Sequence, residues 1–266
     1  MRCSWFLALA LALSAPVQAA DSALDKAVAD PQRSAGFRDR DSWRHPLEEL
    51  EFFGLRPDAT VVEIWPSTGY WTEILAPYLH DRGTYYAAGL RADSGREGID
   101  KARAALQKKL DANPERYGKA TVTQFDIDHY QIAPPGSADF VLTFRNLHNW
   151  MSAGFADQAM AAFFTALKPG GVLGIEDHRA PETLPQDPKA ENGYVRQDYA
   201  IELAKKAGFE FVGASEINAN PKDTKDWPKG VWTLPPTFAL GDQDRDKYTA
   251  IGEADNFVLK FRKPNS

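Results

Sequence analysis

The chain has 266 residues, of which 43% are hydrophobic and 26% are charged, and its formal net charge is −6. This composition is typical of a folded globular protein and excludes wholesale disorder, and the length suits one large domain better than two. Because the net charge is negative and no run of lysine and arginine occurs, the sequence argues against nucleic acid and acidic membrane surfaces as partners.

The first twenty residues predict a secretory signal peptide. Their sequence, MRCSWFLALALALSAPVQAA, has a cation at Arg2, an apolar run too short to span a bilayer and a small-residue end. Cleavage after Ala19 or Ala20 would remove Cys3, the single cysteine, and would exclude disulfides and thiolate metal sites. We therefore expect a periplasmic or secreted protein whose mature chain has no integral membrane segment.

A helical segment is predicted over residues 21–55. Ser22 begins a short helix that Pro31 ends. The stretch DSWRHPLEELEFFGLRP predicts a second helix, with Pro46 in its first turn and Gly54 at its C-terminal stop.

From residue 56 onwards, strand and helix patterns alternate. Strands are predicted at ATVVEIW, GTYYAAGL, KATVTQFD, ADFVLTF, GVLGIED, EFVGASEI and NFVLKFRK, with a helical pattern after the first, second, fourth and fifth. This order predicts an α/β protein with a doubly wound, mostly parallel seven-stranded sheet. The last two strands are joined by a long segment, residues 218–255, with no helical pattern, so the last strand is expected to be antiparallel.

Ligands of open α/β sheets bind outside the carboxyl ends of the strands. The residues that follow the strands are therefore the candidate site, and segment 218–255 leaves the sheet at the same edge and would cover it. The candidates that follow the first, third, fourth and fifth strands are Trp65, Ser67, Gly69, Asp126, Asn146, His148 and Asp177.

Three stretches at these strand ends resemble motifs of the class I S-adenosylmethionine-dependent methyltransferases. VVEIWPSTGYWTEILA is similar to the first motif, in which an acid ends the strand before a glycine-rich loop. ADFVLTFRNLHNW is similar to the fourth-strand motif, and FFTALKPGGVLGIED to a helix, a Leu-Lys-Pro-Gly-Gly turn and the fifth strand. The resemblance covers roughly residues 57–264 and is nearest to a group of predicted exported bacterial methyltransferases with EIWP in the first motif.

The resemblance implies a Rossmann-like methyltransferase domain over residues 56–266 that binds S-adenosyl-L-methionine. It implies that Glu63 is the acid of the first motif and that Trp65, Ser67 and Gly69 occupy its three glycine positions. Glycine permits positive φ and a close approach of ligand to backbone, so a tryptophan there predicts an altered loop path. Trp65 and Trp71 would form an aromatic wall for the sulfonium cation, or else fill the core.

Two more cofactor contacts are implied. Asp93 would bind the ribose hydroxyls after a small shift from the usual position, unless Arg91 binds a phosphate there instead. Asp126 corresponds to the residue near the adenine amino group, with Asp128 as its alternative.

The catalytic candidates follow the fourth and fifth strands. His148 is the predicted general base and His178 the second choice. Asn146 would position the acceptor, and Asp177 would accept a hydrogen bond from it. Oxygen ligands near these strand ends would suit Mg²⁺ or Ca²⁺, but no repeated ligand spacing supports a metal site and none is predicted.

The predicted function is methyl transfer from S-adenosylmethionine to an unidentified small molecule or envelope component. The alternative is a non-catalytic periplasmic ligand-binding protein on a methyltransferase scaffold, because the donor is made in the cytoplasm and the loop glycines are replaced. A nicotinamide-dependent oxidoreductase would rest on Arg91 alone, without a Gly-x-Gly-x-x-Gly loop.

Overall fold

The computed structural model describes residues 22–91, 95 and 97–265. The predicted signal peptide and Asp93 lie outside these residues. Four short helices come first, where the sequence predicts two: α1 (Ser22–Val28), α2 (Ala35–Arg38), α3 (Asp41–Arg44) and α4 (Pro46–Phe53). Within the described part of the chain, no helix has the length and apolar character needed to cross a membrane.

Strands and helices then alternate along the chain. The strands are β1 (Thr60–Ile64), β2 (Thr84–Gly89), β3 (Ala120–Gln124), β4 (Ala138–Phe144), β5 (Leu167–His178), β6 (Glu210–Ser215), β7 (Pro228–Val231) and β8 (Asn256–Arg262). The helices are α5 (Thr72–Leu79), α6 (Glu97–Ala112), α7 (Pro114–Tyr117), α8 (Leu147–Ala153), α9 (Ala156–Ala166), α10 (Gln197–Lys206) and α11 (Arg245–Ile251).

Seven of these strands form one sheet in the order β3-β2-β1-β4-β5-β8-β6. Neighbouring strands from β3 to β5 are parallel, whereas β8 runs antiparallel to both β5 and β6. The predicted doubly wound sheet with an antiparallel last strand is confirmed. The strand order reverses at β1 and β4, which is where such a sheet places its ligands.

The sheet is buried on both faces because its central strands alternate apolar side chains between two cores. Val62 and Ile64 of β1 pack into one core with Trp150 and Phe163, from α8 and α9. Val61, on the opposite face, packs with residues of α1, α4, α5 and α6. Because the central strands are buried on both faces, their sequences are nearly continuous runs of apolar residues.

Two local predictions differ from the structure. The helix predicted over DSWRHPLEELEFFGLRP is broken at His45, whose φ of 39° separates α3 from α4. The turn predicted at Lys-Pro-Gly-Gly lies inside β5, where the pairing with β4 shifts register between Ala138 and Phe140. Gly170, at a φ of 76°, allows the extra residues to bulge there.

Segment 218–255 contains β7 and α11, neither of which the sequence pattern predicts. Val231, Leu234, Tyr248 and Ala254 form a small third core with Tyr194, which precedes α10. This core anchors the segment to the main domain. The segment's residues at and after the end of β7 reach the carboxyl end of the sheet.

Candidate functional site

Two adjoining cavities open at the carboxyl ends of β1 to β4. The first cavity has a volume of about 570 Å³ and the second cavity about 430 Å³. Both are lined by the loop after β1 and by residues after β4, so they lie on either side of a shared wall. The residues common to both are Trp65, Pro66, Ser67, Asn146 and Asn149.

The first cavity extends from this wall across β2 and β3 to α6. Leu90 follows β2, Asp126 and Ile127 follow β3, and Ile99 and Arg103 come from α6. The Asp126 carboxylate accepts a hydrogen bond from the Ile127 backbone N–H at 2.8 Å. The cavity therefore combines apolar side chains with one fixed carboxylate.

The loop after β1 adopts the backbone conformation that glycine favours, although two of its three glycine positions hold other residues. Trp65, Ser67 and Gly69 have φ values of 51°, 53° and 92°. Positive φ is uncommon for a bulky side chain and costs about 1–2 kcal/mol. The backbone thus retains the region of φ that the glycine pattern would allow, and Trp65 and Ser67 bear the strain.

Aromatic packing holds Trp65 in this conformation. Its indole N–H donates to the Phe125 carbonyl at 2.7 Å, and its ring lies 5.9 Å from Trp150 and 6.2 Å from Phe155. Trp71 lies on the other side, buried and stacked 3.9 Å from Phe144, and it lines only the second cavity. The aromatic wall between the cavities is therefore Trp65 alone.

Glu63 lies beneath the loop and is almost completely buried. Its Oε2 atom accepts hydrogen bonds from the Tyr85 hydroxyl at 2.5 Å and from Thr72 Oγ1 at 3.0 Å. Burial raises the pKa of Glu63 to about 7, although the bonds from Tyr85 and Thr72 oppose this increase. Glu63 supports the loop and lines the second cavity.

The remaining predicted cofactor residues have different surroundings. The Gly69 N–H donates to the Pro66 carbonyl at 2.8 Å, and Gly69 closes the loop without lining either cavity. Asp93 lies outside the described residues. Arg91, proposed as a phosphate ligand, is exposed and lines neither cavity.

His148 and Asp177 form a hydrogen-bonded pair at the second cavity. Asp177 is the penultimate residue of β5, and its carboxylate accepts from His148 Nδ1 at 2.9 Å and from the His148 backbone N–H at 2.9 Å. Burial alone would raise the pKa of Asp177, but the His148 ring and its hydrogen bonds hold it below the ordinary value. Because Nδ1 is bound to Asp177, Nε2 is the nitrogen available to a ligand.

Asn146 and His178 flank this pair. The Asn146 side-chain amide donates to the Ile64 carbonyl at 3.0 Å, which ties the end of β4 to β1. The His178 ring lies 5.2 Å from that of His148, and its Nδ1 donates to Asn256 Oδ1 at 2.7 Å. Burial lowers the pKa of His178 to about 3, so this ring is neutral at neutral pH.

One histidine–carboxylate group in the described part of the chain has the spacing of a metal site. Ligand atoms of His148, Asp177 and His178 lie within 4.8 Å of one another. The Asp177 carboxylate, however, already accepts from His148 and from the His178 backbone N–H at 2.8 Å. Glu176 is also engaged, by Arg145 and two asparagine amides. We therefore assign no metal to these strand ends.

Some lining residues are absent from the sequence-based prediction. Ile127 lies three residues after the end of β3, and the strand-end rule would have included it if apolar residues had been considered. Arg103 faces the first cavity from α6, and Arg40, which precedes α3, faces the second. No local pattern in the sequence connects either arginine with the site.

Comparison with solved structures identifies the fold. A SAM-dependent methyltransferase from Aquifex aeolicus matches with a TM-score of 0.57 at 14% identity, over 84% of this chain and 92% of that chain. The fold is that of the S-adenosylmethionine-dependent methyltransferases. The cyclase SpnF matches with a TM-score of 0.57 at 16% identity, over 87% of this chain and 83% of that chain.

A third match is a phosphoethanolamine N-methyltransferase 2 from Haemonchus contortus in complex with S-adenosyl-L-methionine. Its TM-score is 0.56 at 15% identity, and the match covers 92% of this chain and 60% of that chain. No protein-family profile matches this chain, and no curated protein sequence does. At these identities the likeness establishes the fold, and the reaction has to be argued from the site.

Proposed function

We propose that this protein is an S-adenosylmethionine-dependent methyltransferase acting on an unidentified small molecule or envelope component. The first cavity would hold the cofactor and the second cavity the methyl acceptor. The observation that carries this proposal is the shared wall: Trp65, Asn146 and Asn149 line both cavities at the strand-order reversal. Donor and acceptor would therefore meet at the carboxyl ends of β1 and β4.

The first cavity fits the cofactor in size and chemistry. Its volume of about 570 Å³ lies in the range of small-molecule sites. Leu90 and Ile127 would pack against the adenine ring, Asp126 would accept from its amino group, and Ser67 would bring the loop backbone close to the methionine end. Bound S-adenosylmethionine would supply an electrophilic methyl group on a positively charged sulfur.

The residues of the second cavity would orient the acceptor and take its proton. His148 Nε2 would accept the proton that the nucleophile loses, because Asp177 fixes the opposite tautomer and stabilises the charged ring. Asn146 would orient the acceptor at the shared wall. Trp232 and Pro235, from segment 218–255, would exclude water from the same space.

Calorimetric titration with S-adenosylmethionine and S-adenosylhomocysteine tests the cofactor site. Ala102 lines the first cavity from α6, whereas Ala105 of the same helix is exposed and does not line it. We expect the wild-type protein and Ala105→Trp to bind both ligands, and Ala102→Trp to lose binding because the indole fills the cavity. Absence of wild-type binding at millimolar concentration would refute the proposal.

Methyl transfer itself needs a separate assay. Trp65 and Ser67 hold positive φ values where the resembled loop motif has glycines, a replacement that a non-catalytic ligand-binding protein would permit. Transfer of a labelled methyl group to periplasmic small-molecule extracts would support the enzyme. Tight cofactor binding without transfer to any extract would favour the binding protein.

We further propose that residues 1–20 are cleaved and that the mature protein is periplasmic or secreted. The apolar run and small-residue end support this proposal. N-terminal sequencing of the protein from a periplasmic extract would give Ala20 or Asp21 as the first residue. An intact Met1 terminus in the cytoplasmic fraction would refute it.

A further inference from the structure

Three arginines line the second cavity. Arg40 precedes α3, Arg44 ends α3 and Arg145 follows β4. All three bind the Glu253 carboxylate: Arg40 Nε lies 2.6 Å from Oε1, Arg44 Nε lies 3.1 Å from Oε2, and Arg145 also pairs with Oε2. Segments far apart in the chain therefore bring three guanidinium groups to one place.

The carboxylates that balance these arginines lie behind them. Glu253 and Glu176 pair with Arg145, yet neither lines the second cavity. Glu49 shares the Asn218 amide with Glu176, and burial and the charge of Glu176 raise its pKa well above the ordinary value. The three guanidinium groups thus pair with two carboxylates, those of Glu253 and Glu176.

The three guanidinium groups lie close enough to repel one another. Burial, together with the charges of Arg145 and Arg40, lowers the pKa of Arg44 to about 10 against the attraction of Glu253. Burial also opposes the charge of Arg145, but Glu176 and Glu253 outweigh it and raise the pKa of Arg145. Of the acids in the described part of the chain, Glu63 is the one that lines the second cavity, and Tyr85 and Thr72 already bind its carboxylate. The cavity surface is therefore cationic.

Two donors of this group have no acceptor. The Nη2 atoms of Arg40 and Arg145 are buried and make no hydrogen bond within the described residues. Buried polar atoms without partners are rare in native structures, and each requires an explanation such as a ligand. Arg40 and Arg145 both line the second cavity, and guanidinium nitrogens are preferred donors to carboxylate oxygens.

Aromatic rings form part of the lining of the second cavity. Trp71, Phe144 and Trp232 line it, and Tyr70 lies beneath Arg44, whose guanidinium carbon is 4.5 Å from the ring centroid. Flat apolar walls beside a cationic end suit a ligand with an apolar or aromatic body and an anionic end.

We propose that the methyl acceptor is an organic carboxylate whose anionic group binds Arg40, Arg44 and Arg145. Its apolar body would lie between Trp71 and Trp232, with the nucleophile towards His148. The assignment of this ligand as the acceptor rests on the proposed methyltransferase function. One formal excess positive charge matches a carboxylate, whereas a phosphate dianion would leave a buried negative charge uncompensated.

Calorimetry with benzoate and benzamide, in the absence of cofactor, tests the anion site. The two probes share a ring and differ in charge. We expect benzoate to bind the wild-type protein at least about tenfold more tightly than benzamide, as loss of a charged hydrogen bond implies. Equal affinities would overturn the proposal without any variant, and so would tighter binding of inorganic phosphate than of benzoate.

Two variants with opposite expected effects extend the test. Arg40→Gln removes one guanidinium and should weaken benzoate binding about tenfold, whereas Glu253→Gln removes the balancing carboxylate and should strengthen it. Arg56→Gln is the matched control, because Arg56 is an exposed arginine outside both cavities. Thermal melts establish that each variant is folded. Weaker benzoate binding in folded Glu253→Gln, or equal affinities in Arg40→Gln and Arg56→Gln, would contradict the anion site.

Titration of S-adenosylmethionine into the same variants separates this proposal from the methyltransferase proposal. Arg40→Gln should bind the cofactor as tightly as the wild-type protein, because Arg40 does not line the first cavity. Benzoate binding without cofactor binding would refute the methyltransferase and leave the carboxylate site intact. Cofactor binding without discrimination between benzoate and benzamide would refute the carboxylate site alone.

Discussion

Replacement of Glu63 by glutamine should stabilise the folded protein at alkaline pH. Glu63 is 1% exposed, and its carboxyl pKa is raised by burial from 4.5 to about 7. The folded state therefore keeps a proton that the unfolded state releases between these values. The stability that this proton supplies is fully present below pH 4.5 and is lost as the pH rises through 7.

The pKa difference sets the size of the effect. With pKa values of 4.5 unfolded and about 7 folded, ionisation of Glu63 should cost about 2–3 kcal/mol more at pH 8 than at pH 5. The substituted glutamine cannot ionise, and its side-chain oxygen can accept both the Tyr85 and Thr72 hydrogen bonds. The free energy of unfolding of Glu63→Gln minus that of the wild type should therefore rise by about 2–3 kcal/mol over this range.

Urea unfolding at several pH values between 5 and 8 measures this difference. Glu73→Gln is a control for which the opposite pH dependence is expected. Burial would raise the pKa of the buried Glu73 carboxyl, but hydrogen bonds from Lys109 and Ser34 hold this pKa below its ordinary value. Glu73→Gln should therefore be less stable than the wild type at neutral pH, and the difference should shrink as the pH falls. A Glu63→Gln difference that does not change with pH would show that Glu63 is ionised in the folded protein.

Three further predictions concern the site and its core. His148→Gln should reduce methyl transfer by about 10²–10⁴-fold, as measured with a labelled methyl donor, and should leave cofactor binding unchanged in calorimetry; undiminished transfer would exclude His148 as the base. The free energy of unfolding of the wild type should fall by about 2 kcal/mol from pH 7 to pH 5, because the His178 ring has a pKa of about 3 when folded and 6.5 when unfolded. His178→Gln should not show this decrease. Trp150→Ala should lower the free energy of unfolding by about 3–5 kcal/mol, since Trp150 is fully buried behind Trp65; a loss below 1 kcal/mol in urea titrations would contradict this packing.

Much of the fold follows from the sequence because hydrophobic periodicity is local. Runs such as ADFVLTF encode strands buried on both faces, and their alternation with helical patterns predicts the doubly wound sheet. The break at His45 and the bulge at Gly170 were not predicted. Both depend on how the chain packs against other elements, and packing overrides local propensity.

The predicted site residues came from one rule, that ligands bind at the carboxyl ends of strands. The rule places Trp65, Asp126 and Asn146 at the first cavity and His148 at the second. It says nothing about which side chains bind each other. The bond between His148 and Asp177 joins residues 29 positions apart, and it forms because β4 and β5 are neighbours in the sheet.

The sequence by itself determined the alternation of the seven sheet strands with the main helices, the negative charge and the presence of Trp65 and Ser67 in the loop after β1. Tertiary structure alone decided that these residues adopt positive φ, that Glu63 is buried and that Arg40 meets Arg145 at one cavity. The physical reason is distance along the chain. Periodicity is carried by near neighbours, whereas burial and charge balance depend on contacts between segments that only the folded sheet brings together, such as Arg145 with Glu253, 108 residues away.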